Sequence, residues 1–305
     1  DAPRVNANGG AIAHSHPRWI VEAISDALGG DLAATEAMLA ADNERPAVTL
    51  VVRPGKADVD ELLALGARPG RWAPTAAILE SGAPAALAAV REGRVGVQDE
   101  GSQLVALALA AADLDGPDAR WLDMCAGPGG KAAMLGGLAA ARGAHLLAVE
   151  RQPHRARLVR RAVGSSAAVA VADSTAPPWA PASFDRVLVD VPCSGLGALR
   201  RRPEARWRRQ PADVVTLRPL QEALLRSAIE AVRRGGLVAY ATCSPHLGET
   251  REVVDAVTAA RDDVDLVDVR PFLPGVDQLG AGPAIQLWPQ RHGTDAMYLA
   301  LLRRR

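Results

Sequence analysis

The sequence predicts an α/β protein: a doubly wound, mostly parallel sheet with an antiparallel last strand, preceded by a small α+β domain. Three observations carry this. From Val95 onward, short strand-like runs alternate with longer stretches of helical periodicity, the pattern of a parallel sheet with right-handed crossovers. Near the C-terminus, Ala284–Trp288 and Ala296–Leu302 flank a turn at His292–Gly293, which makes a hairpin and reverses the last strand. Ahead of Val95 the texture differs, with two helical segments, one strand and a stretch broken by Pro and Gly.

In order, residues 1–15 read as a polar linker. The chain starts with Asp rather than Met, which suggests a fragment that has lost an N-terminal module. Residues 16–92 form the small module. His16–Gly29 and Asp31–Asn43 place Ile20, Ala23, Ile24 and Leu28, then Leu32, Met38 and Leu39, at helical spacing. Ala47–Val52 is a β-branched strand, and Ala57–Leu65 a further helix. Residues 93–305 form the large domain, opened by an apolar helix at Gly101–Ala112. Its strands are expected at Arg120–Met124, His145–Val149, Ala167–Val171, Asp185–Val191 and Leu237–Thr242. Its helices are expected at Gly130–Ala141, Pro153–Val163, Ala212–Arg233 and Glu249–Ala260.

Composition excludes several classes. No apolar run reaches the roughly 18 residues of a membrane span, and no signal-peptide pattern opens the chain, so the cytoplasm is the expected location. Charge is balanced, 35 basic against 35 acidic residues, which argues against a general nucleic-acid coat but leaves room for a local basic groove. Three cysteines, widely spaced and without a Cys-x-x-Cys pair, fit neither a disulfide framework nor a zinc site, so no metal is expected.

Asp123-Met-Cys-Ala-Gly-Pro-Gly-Gly-Lys131 joins the first strand of the large domain to its helix. Glycines there let the backbone turn sharply and approach a ligand beside free helix N–H groups. Such a turn can hold a dinucleotide, a phosphate or adenosylmethionine, but it lacks the Gly-Lys-Ser/Thr ending of a triphosphate loop. Glu150, about twenty residues beyond the glycines, stands where a ribose diol would lie in both dinucleotide and methyltransferase sites. Asp173 follows the third strand and is a candidate for an adenine amino group. Two cysteines close later strands, in Asp190-Val-Pro-Cys193-Ser-Gly-Leu-Gly and in Tyr240-Ala-Thr-Cys243-Ser-Pro. Ligands of open α/β sheets bind outside the carboxyl ends of the strands, so both thiols are expected to face the crevice.

On these motifs, with Arg201, Arg202, Pro203 and Trp207 following the first cysteine, the chain resembles the RNA cytosine-5 methyltransferases of the NOL1/NOP2/Sun group. The resemblance runs from His16 to Arg303. Within the group it is most similar to the bacterial branch that modifies small-subunit ribosomal RNA, through His16-Pro-Arg-Trp19, Asn43-Glu-Arg-Pro46 and Val97-Gln-Asp-Glu100. That branch usually carries an N-terminal NusB-like domain, which is not seen here. The resemblance implies a class I, Rossmann-like methyltransferase domain that uses S-adenosyl-L-methionine and acts on ribosomal RNA, with no membrane or metal partner and as a monomer. It implies Cys243 as the nucleophile that adds to cytosine C6, Cys193 as the thiol assisting release, Asp190 as a partner of N3 or the exocyclic amine, and Lys131 as a cation at the crevice. The cofactor would be held by Cys125, Ala126, Gly127, Pro128, Gly129, Gly130 and Lys131, with Glu150, Arg155, Asp173 and Asp190. Departures are Val191 for the usual Ala, Gly127 for a second Ala, Ala132 for Thr, and Asp295-Ala-Met-Tyr for Asp-Gly-Phe-Phe.

The segment Leu199–Arg209 sets six arginines around one tryptophan directly after Cys193. Arg200, Arg201, Arg202 and Arg206 are candidates for phosphate contacts and Trp207 for stacking on a base, and the small N-terminal module for positioning the RNA. Competing readings remain at this point. One is a non-catalytic RNA-binding or ribosome assembly factor that keeps a cofactor pocket. Another is a DNA cytosine methyltransferase, which would promote Cys193 to nucleophile. A third is a NAD-dependent dehydrogenase, which leaves both cysteines unexplained.

Overall fold

The computed structural model describes residues 13–305, so most of the expected linker at 1–15 lies outside the described residues. Helix α1 (Arg18–Ala27) buries Ile20, Val21, Ala23 and Ile24 on one face. Helix α2 (Leu32–Ala41) starts at Asp31, whose carboxylate accepts the Ala34 N–H at 3.0 Å and satisfies one free donor of the first turn. There follow β1 (Val48–Val52), α3 (Val59–Leu63), β2 (Arg68–Pro69), β3 (Ala76–Leu79), α4 (Ala88–Arg91) and β4 (Val95–Val97). The four strands form an antiparallel sheet in the order β2-β3-β1-β4. The sequence signalled only β1, because the other three are two to four residues long and two of them lie in the Pro/Gly-broken stretch. The small sheet also takes in Val95–Val97, just past residue 92.

The large domain opens with α5 (Glu100–Ala111), followed by β5 (Arg120–Asp123), α6 (Gly130–Ala140), β6 (His145–Val149), α7 (Pro153–Val163), β7 (Ala168–Ala170) and β8 (Phe184–Asp190). Then come α8 (Ala205–Arg208), α9 (Pro211–Ala231), β9 (Val232–Thr242), α10 (Arg251–Thr258), β10 (Val264–Val267), β11 (Ile285–Gln286), α11 (Pro289–His292) and β12 (Tyr298–Arg304). The strand order is β10-β12-β9-β8-β5-β6-β7, with β11 paired to β12. Strands β5 to β9 run parallel, and β12 is antiparallel to β9. The antiparallel last strand is thus as the sequence predicts, but it is inserted between β9 and β10 rather than closing the edge. Strand β10 escaped notice because Asp265 interrupts its apolar run and the strand is half exposed at the rim.

Alternation of side chains explains the two covered faces. Trp121, Leu188 and Ala239 pack with Leu104 and Leu109 of α5 and Met134 of α6. Leu122, Val187, Val189 and Tyr240 point the other way, onto Leu224 and Leu225 of α9 and Val253 of α10. One boundary departs from expectation. The helix expected to reach Arg233 ends at Ala231, and β9 begins at Val232 with a shift of register opposite Phe184–Arg186. Gly235 sits at φ +77°, and a Cβ on Gly236 would come within 2.6 Å of the Asp185 carbonyl, so this irregularity needs glycine at both places.

Candidate active site

The carboxyl ends of β5, β6, β8 and β9 open onto one cavity of about 530 Å³. It lies where β5 and β8 are neighbours although their connections leave in opposite directions, the position at which doubly wound sheets bind ligands.

Of the residues expected to hold a cofactor, Cys125, Gly127, Lys131, Glu150, Arg155, Asp173 and Asp190 line this cavity. Ala126, Pro128, Gly129 and Gly130 do not. Ala126 is buried, its N–H bonded to the Val149 carbonyl at 2.9 Å. Gly129, at φ +118°, lets α6 approach α7, since a Cβ there would stand 2.5 Å from that of Ala162. These residues shape the loop; they are not its lining.

Glu150 is buried and holds the loop directly. It accepts the Gly127 N–H at 3.1 Å and the Gln152 N–H at 2.8 Å, while Arg155 donates to the Gly127 carbonyl at 2.7 Å. A Cβ on Gly127 would stand 2.1 Å from Glu150 Oε2 and 2.9 Å from Arg155 Nε. The departure from Ala at this position therefore belongs with a Glu150–Arg155 pair folded over the loop. Asp173 is partly committed as well. It accepts the Thr175 N–H at 2.9 Å and hydroxyl at 2.7 Å and faces Arg151 at 3.4 Å; the Thr175 bonds lead in holding its carboxyl below the usual range. Both carboxylates keep lone pairs facing the cavity, so the donor set suits a nucleoside with a ribose diol and an amino-bearing base.

Deeper in, Lys131 Nζ donates to Asp190 Oδ2 at 2.8 Å. Burial alone would favour the neutral amine, but the Asp190 charge outweighs it and holds the ammonium above its ordinary value. This pairing answers the cost of a cation in the first turn of α6. Asp123, fully buried at the end of β5, is pushed up to about 7 by desolvation and by the Asp190 charge. Its Oδ1 accepts the Cys125 N–H at 3.2 Å, and its Oδ2 has no hydrogen-bond partner.

Cys193 and Cys243 come together as the sequence implies, with Sγ to Sγ 3.4 Å. The hydrogen-bonded contact with Cys243, together with burial, raises Cys193 well above the ordinary thiol range. The same contact lowers Cys243 against burial and the Asp190 charge, and Lys131 adds to the effect. The two thiols are thereby made unlike, Cys243 being the one more readily ionised. Cys125 also lines the cavity, but burial raises its thiol well above the ordinary range.

The arginine segment divides. Arg200 is a structural residue: its guanidinium is buried between Asp99 at 2.8 Å and Asp295 at 3.2 Å. Arg206 is buried too, donating to the Asp42 carbonyl and to Asn43 Oδ1 at 2.6 Å each, which ties the segment to the end of α2. These two correct the expectation of RNA contacts, since both guanidinia are buried against internal acceptors and out of reach of a phosphate. Arg201, Arg202 and Arg209 border the cavity, and Trp207 is 66% exposed. Leu196 and Leu199 of the same segment pack on Ile20, Ile24, Met38 and Leu39, so the N-terminal helices support the loop that carries Cys193.

Sequence reasoning missed Asp295 and Glu249. Asp295 borders the cavity, is paired with Arg200 and Arg201, and is pushed up to about 6 by burial and by Asp99. Glu249 is fully buried behind the two cysteines. Six residues beyond Cys243 and next to a helix start, its carboxylate reads in sequence like a surface residue of a first turn.

Fold and site together define the class I methyltransferase architecture, with its last strand inserted antiparallel and two cysteines at the ends of adjacent strands. The chain belongs to the 16S rRNA methyltransferase RsmB/F family, whose sequence profile matches residues 108–303. This is a family of S-adenosylmethionine-dependent enzymes. The chain is 55% identical over 298 residues to Rv1407 of Mycobacterium tuberculosis, a provisionally named methyltransferase, covering 96% of this chain and 65% of that one. It is 30% identical over 305 residues to ribosomal RNA small subunit methyltransferase B of Pasteurella multocida, covering 95% and 65%. The crystal structure of PH0851 superposes with a TM-score of 0.86 at 25% identity over 100% of this chain and 69% of that one. The chain thus spans 65% of the length of each of these two curated relatives.

Proposed function

We propose that the protein transfers a methyl group from S-adenosyl-L-methionine to C5 of a cytosine in small-subunit ribosomal RNA, through a covalent bond between Cys243 and C6. The observation that carries this reading is the pair of unlike thiols 3.4 Å apart beside Lys131 and Asp190. A dehydrogenase has no use for such a pair. An assembly factor that merely retained a pocket would have no need of it. A thiolate that adds to C6 ends the aromaticity of the ring and makes C5 nucleophilic, which is covalent catalysis in its usual sense.

When bound, S-adenosylmethionine supplies an electrophilic methyl group on a sulfonium. Gly127, Glu150, Arg155 and Asp173 are the residues that would hold it. Cys243, the thiol whose ionisation the contact with Cys193 and the nearby Lys131 favour, adds to C6 as the thiolate. Asp190 is placed to hydrogen-bond N3 or the exocyclic amine of the base, and Lys131 holds that carboxylate in position. For the product to leave, the proton at C5 must be taken and the Cys243–C6 bond must break. Cys193, in contact with Cys243, is the group placed to assist that release.

The guanidinia of Arg201, Arg202 and Arg209 border the cavity, and with the exposed ring of Trp207 on the same segment they would provide a face for an unstacked strand. We read the small N-terminal domain as the part that positions the RNA. Monomeric action in the cytoplasm completes the proposal. Among the described residues no helix is long and apolar enough to cross a membrane. The test is to incubate the protein with methyl-labelled cofactor and deproteinised small-subunit rRNA, then digest to nucleosides. Label in 5-methylcytidine supports the reading. Label in another nucleoside overturns the chemistry, and RNA binding without label favours an assembly factor.

A further inference from the structure

Behind the cysteines a single carboxylate joins the two loops that carry them. Glu249 is completely buried, at 0% exposure. Its Oε1 accepts the Ser194 N–H at 2.7 Å and the Gln221 Nε2–H at 3.1 Å. Its Oε2 accepts the hydroxyls of Ser194 at 2.5 Å and Ser244 at 2.7 Å. Ser194 and Ser244 are the residues directly after Cys193 and Cys243, and their hydroxyl oxygens lie 3.3 Å apart. Both cysteine loops are therefore anchored on one carboxylate, that of Cys193 through both oxygens and that of Cys243 through Oε2.

The surroundings immobilise that anchor. Tyr240 of β9 donates its hydroxyl to the Glu249 carbonyl at 2.7 Å, and Gln221 of α9 also donates to the Pro192 carbonyl at 2.9 Å. The Gly197 N–H bonds the Cys243 carbonyl at 2.9 Å, a further direct tie between the loops. A buried carboxylate is costly unless fully hydrogen-bonded. Here the compensation comes entirely from neutral donors, with no cation among its hydrogen-bond partners. A fold that needed only stability would be served as well by an apolar residue of similar size.

We propose that Glu249 is a positioning residue for the two-cysteine site, fixing the backbone behind each cysteine so that the two thiols are held in contact. This rests on the cytosine-5 reading for its purpose but not for its test. Lost contact would part Cys243 from its 3.4 Å neighbour and deprive the adduct of the thiol that assists release. Glu249→Gln turns one acceptor oxygen into a donor, facing either the two hydroxyls or the two N–H groups. Ser194→Ala and Ser244→Ala each remove one hydroxyl tie without altering charge.

The test measures the distance between the thiols chemically, in the full chain without RNA. Diamide, a thiol oxidant, closes a disulfide between neighbouring thiols while it is itself reduced to the hydrazine, and the product is counted by mass after alkylation. In the native protein Cys193 and Cys243 should close rapidly. In Glu249→Gln, and in the Ser194→Ala/Ser244→Ala double variant, closure should slow at least tenfold while S-adenosylmethionine affinity stays within threefold. Glu249→Asp, which restores a carboxylate one methylene shorter, should recover part of the rate. If Glu249→Gln does not fold, the serine double variant decides alone. Native rates in the variants would overturn the proposal, as would failure of the native pair to close. Rapid closure in the native protein and slow closure in the variants, with no 5-methylcytidine formed by the native protein, would leave the positioning role standing and count against the cytosine-5 reading.

Discussion

Replacing Cys193 with alanine removes the one hydrogen bond that ranks first in lowering the Cys243 thiol. A hydrogen bond to a charged group is worth about 1.5–3 kcal/mol, and a thiol is a weak donor, so the lower end of that range applies. A loss of that size shifts the thiol–thiolate equilibrium of Cys243 about tenfold toward the neutral thiol, since about 1.4 kcal/mol is a factor of ten. The sign is fixed by the chemistry: the bond favours the anion, and its removal favours the neutral thiol. At any pH below the Cys243 pKa of both proteins the thiolate fraction, and with it the rate of alkylation by iodoacetamide, should fall about tenfold. The assay is the pH profile of alkylation at Cys243, followed by peptide mass in the absence of RNA and cofactor. A profile that keeps its midpoint, or moves to lower pH, would refute the idea that the second thiol activates the first.

Asp123→Asn removes the carboxyl that burial holds near 7. Because that folded-state value lies above the unfolded one, the wild type should lose stability as pH rises from about 4 to about 7, by a few kcal/mol at most, and the variant should lose less. Melting temperatures across that range check it. Arg200→Ala leaves the buried Asp99 without its cation and Asp295 with Arg201 alone, and should cost about 3 kcal/mol of stability. Trp207→Ala should leave the melting temperature unchanged but weaken rRNA binding by about 1–3 kcal/mol, read by filter binding at fixed salt. Arg206→Ala should show the opposite signature, with stability lost through the Asn43 and Asp42 contacts at about 2 kcal/mol.

The large domain was legible because its signals are local. Alternating strands, a glycine loop, a carboxylate after β6 and a cysteine after each of β8 and β9 are all short stretches, and the topology brings them together. What stayed hidden depends on partners far apart in sequence. Arg200, Arg201, Arg202 and Arg206 look alike in a string of arginines. Only the structure shows that Arg200 is spent on Asp99 and Asp295 and Arg206 on Asn43, leaving Arg201 and Arg202 at the cavity and Trp207 exposed. Glu249 was invisible for the same reason, since its partners Ser194 and Gln221 are 55 and 28 residues away. Strands β2 to β4 were lost to their brevity, and β10 to its exposed edge. The glycine loop was read too broadly, because some of its residues serve helix packing rather than the cavity.

The central claim is that Cys243 bonds to cytosine and Cys193 releases it. The most direct measurement is a denaturing gel of Cys193→Ala, Cys243→Ala and the double variant after incubation with S-adenosylmethionine and deproteinised small-subunit rRNA. The account predicts a slow-migrating protein–RNA band with Cys193→Ala that disappears in the double variant. A band with Cys243→Ala instead would reverse the roles of the two thiols and contradict the account.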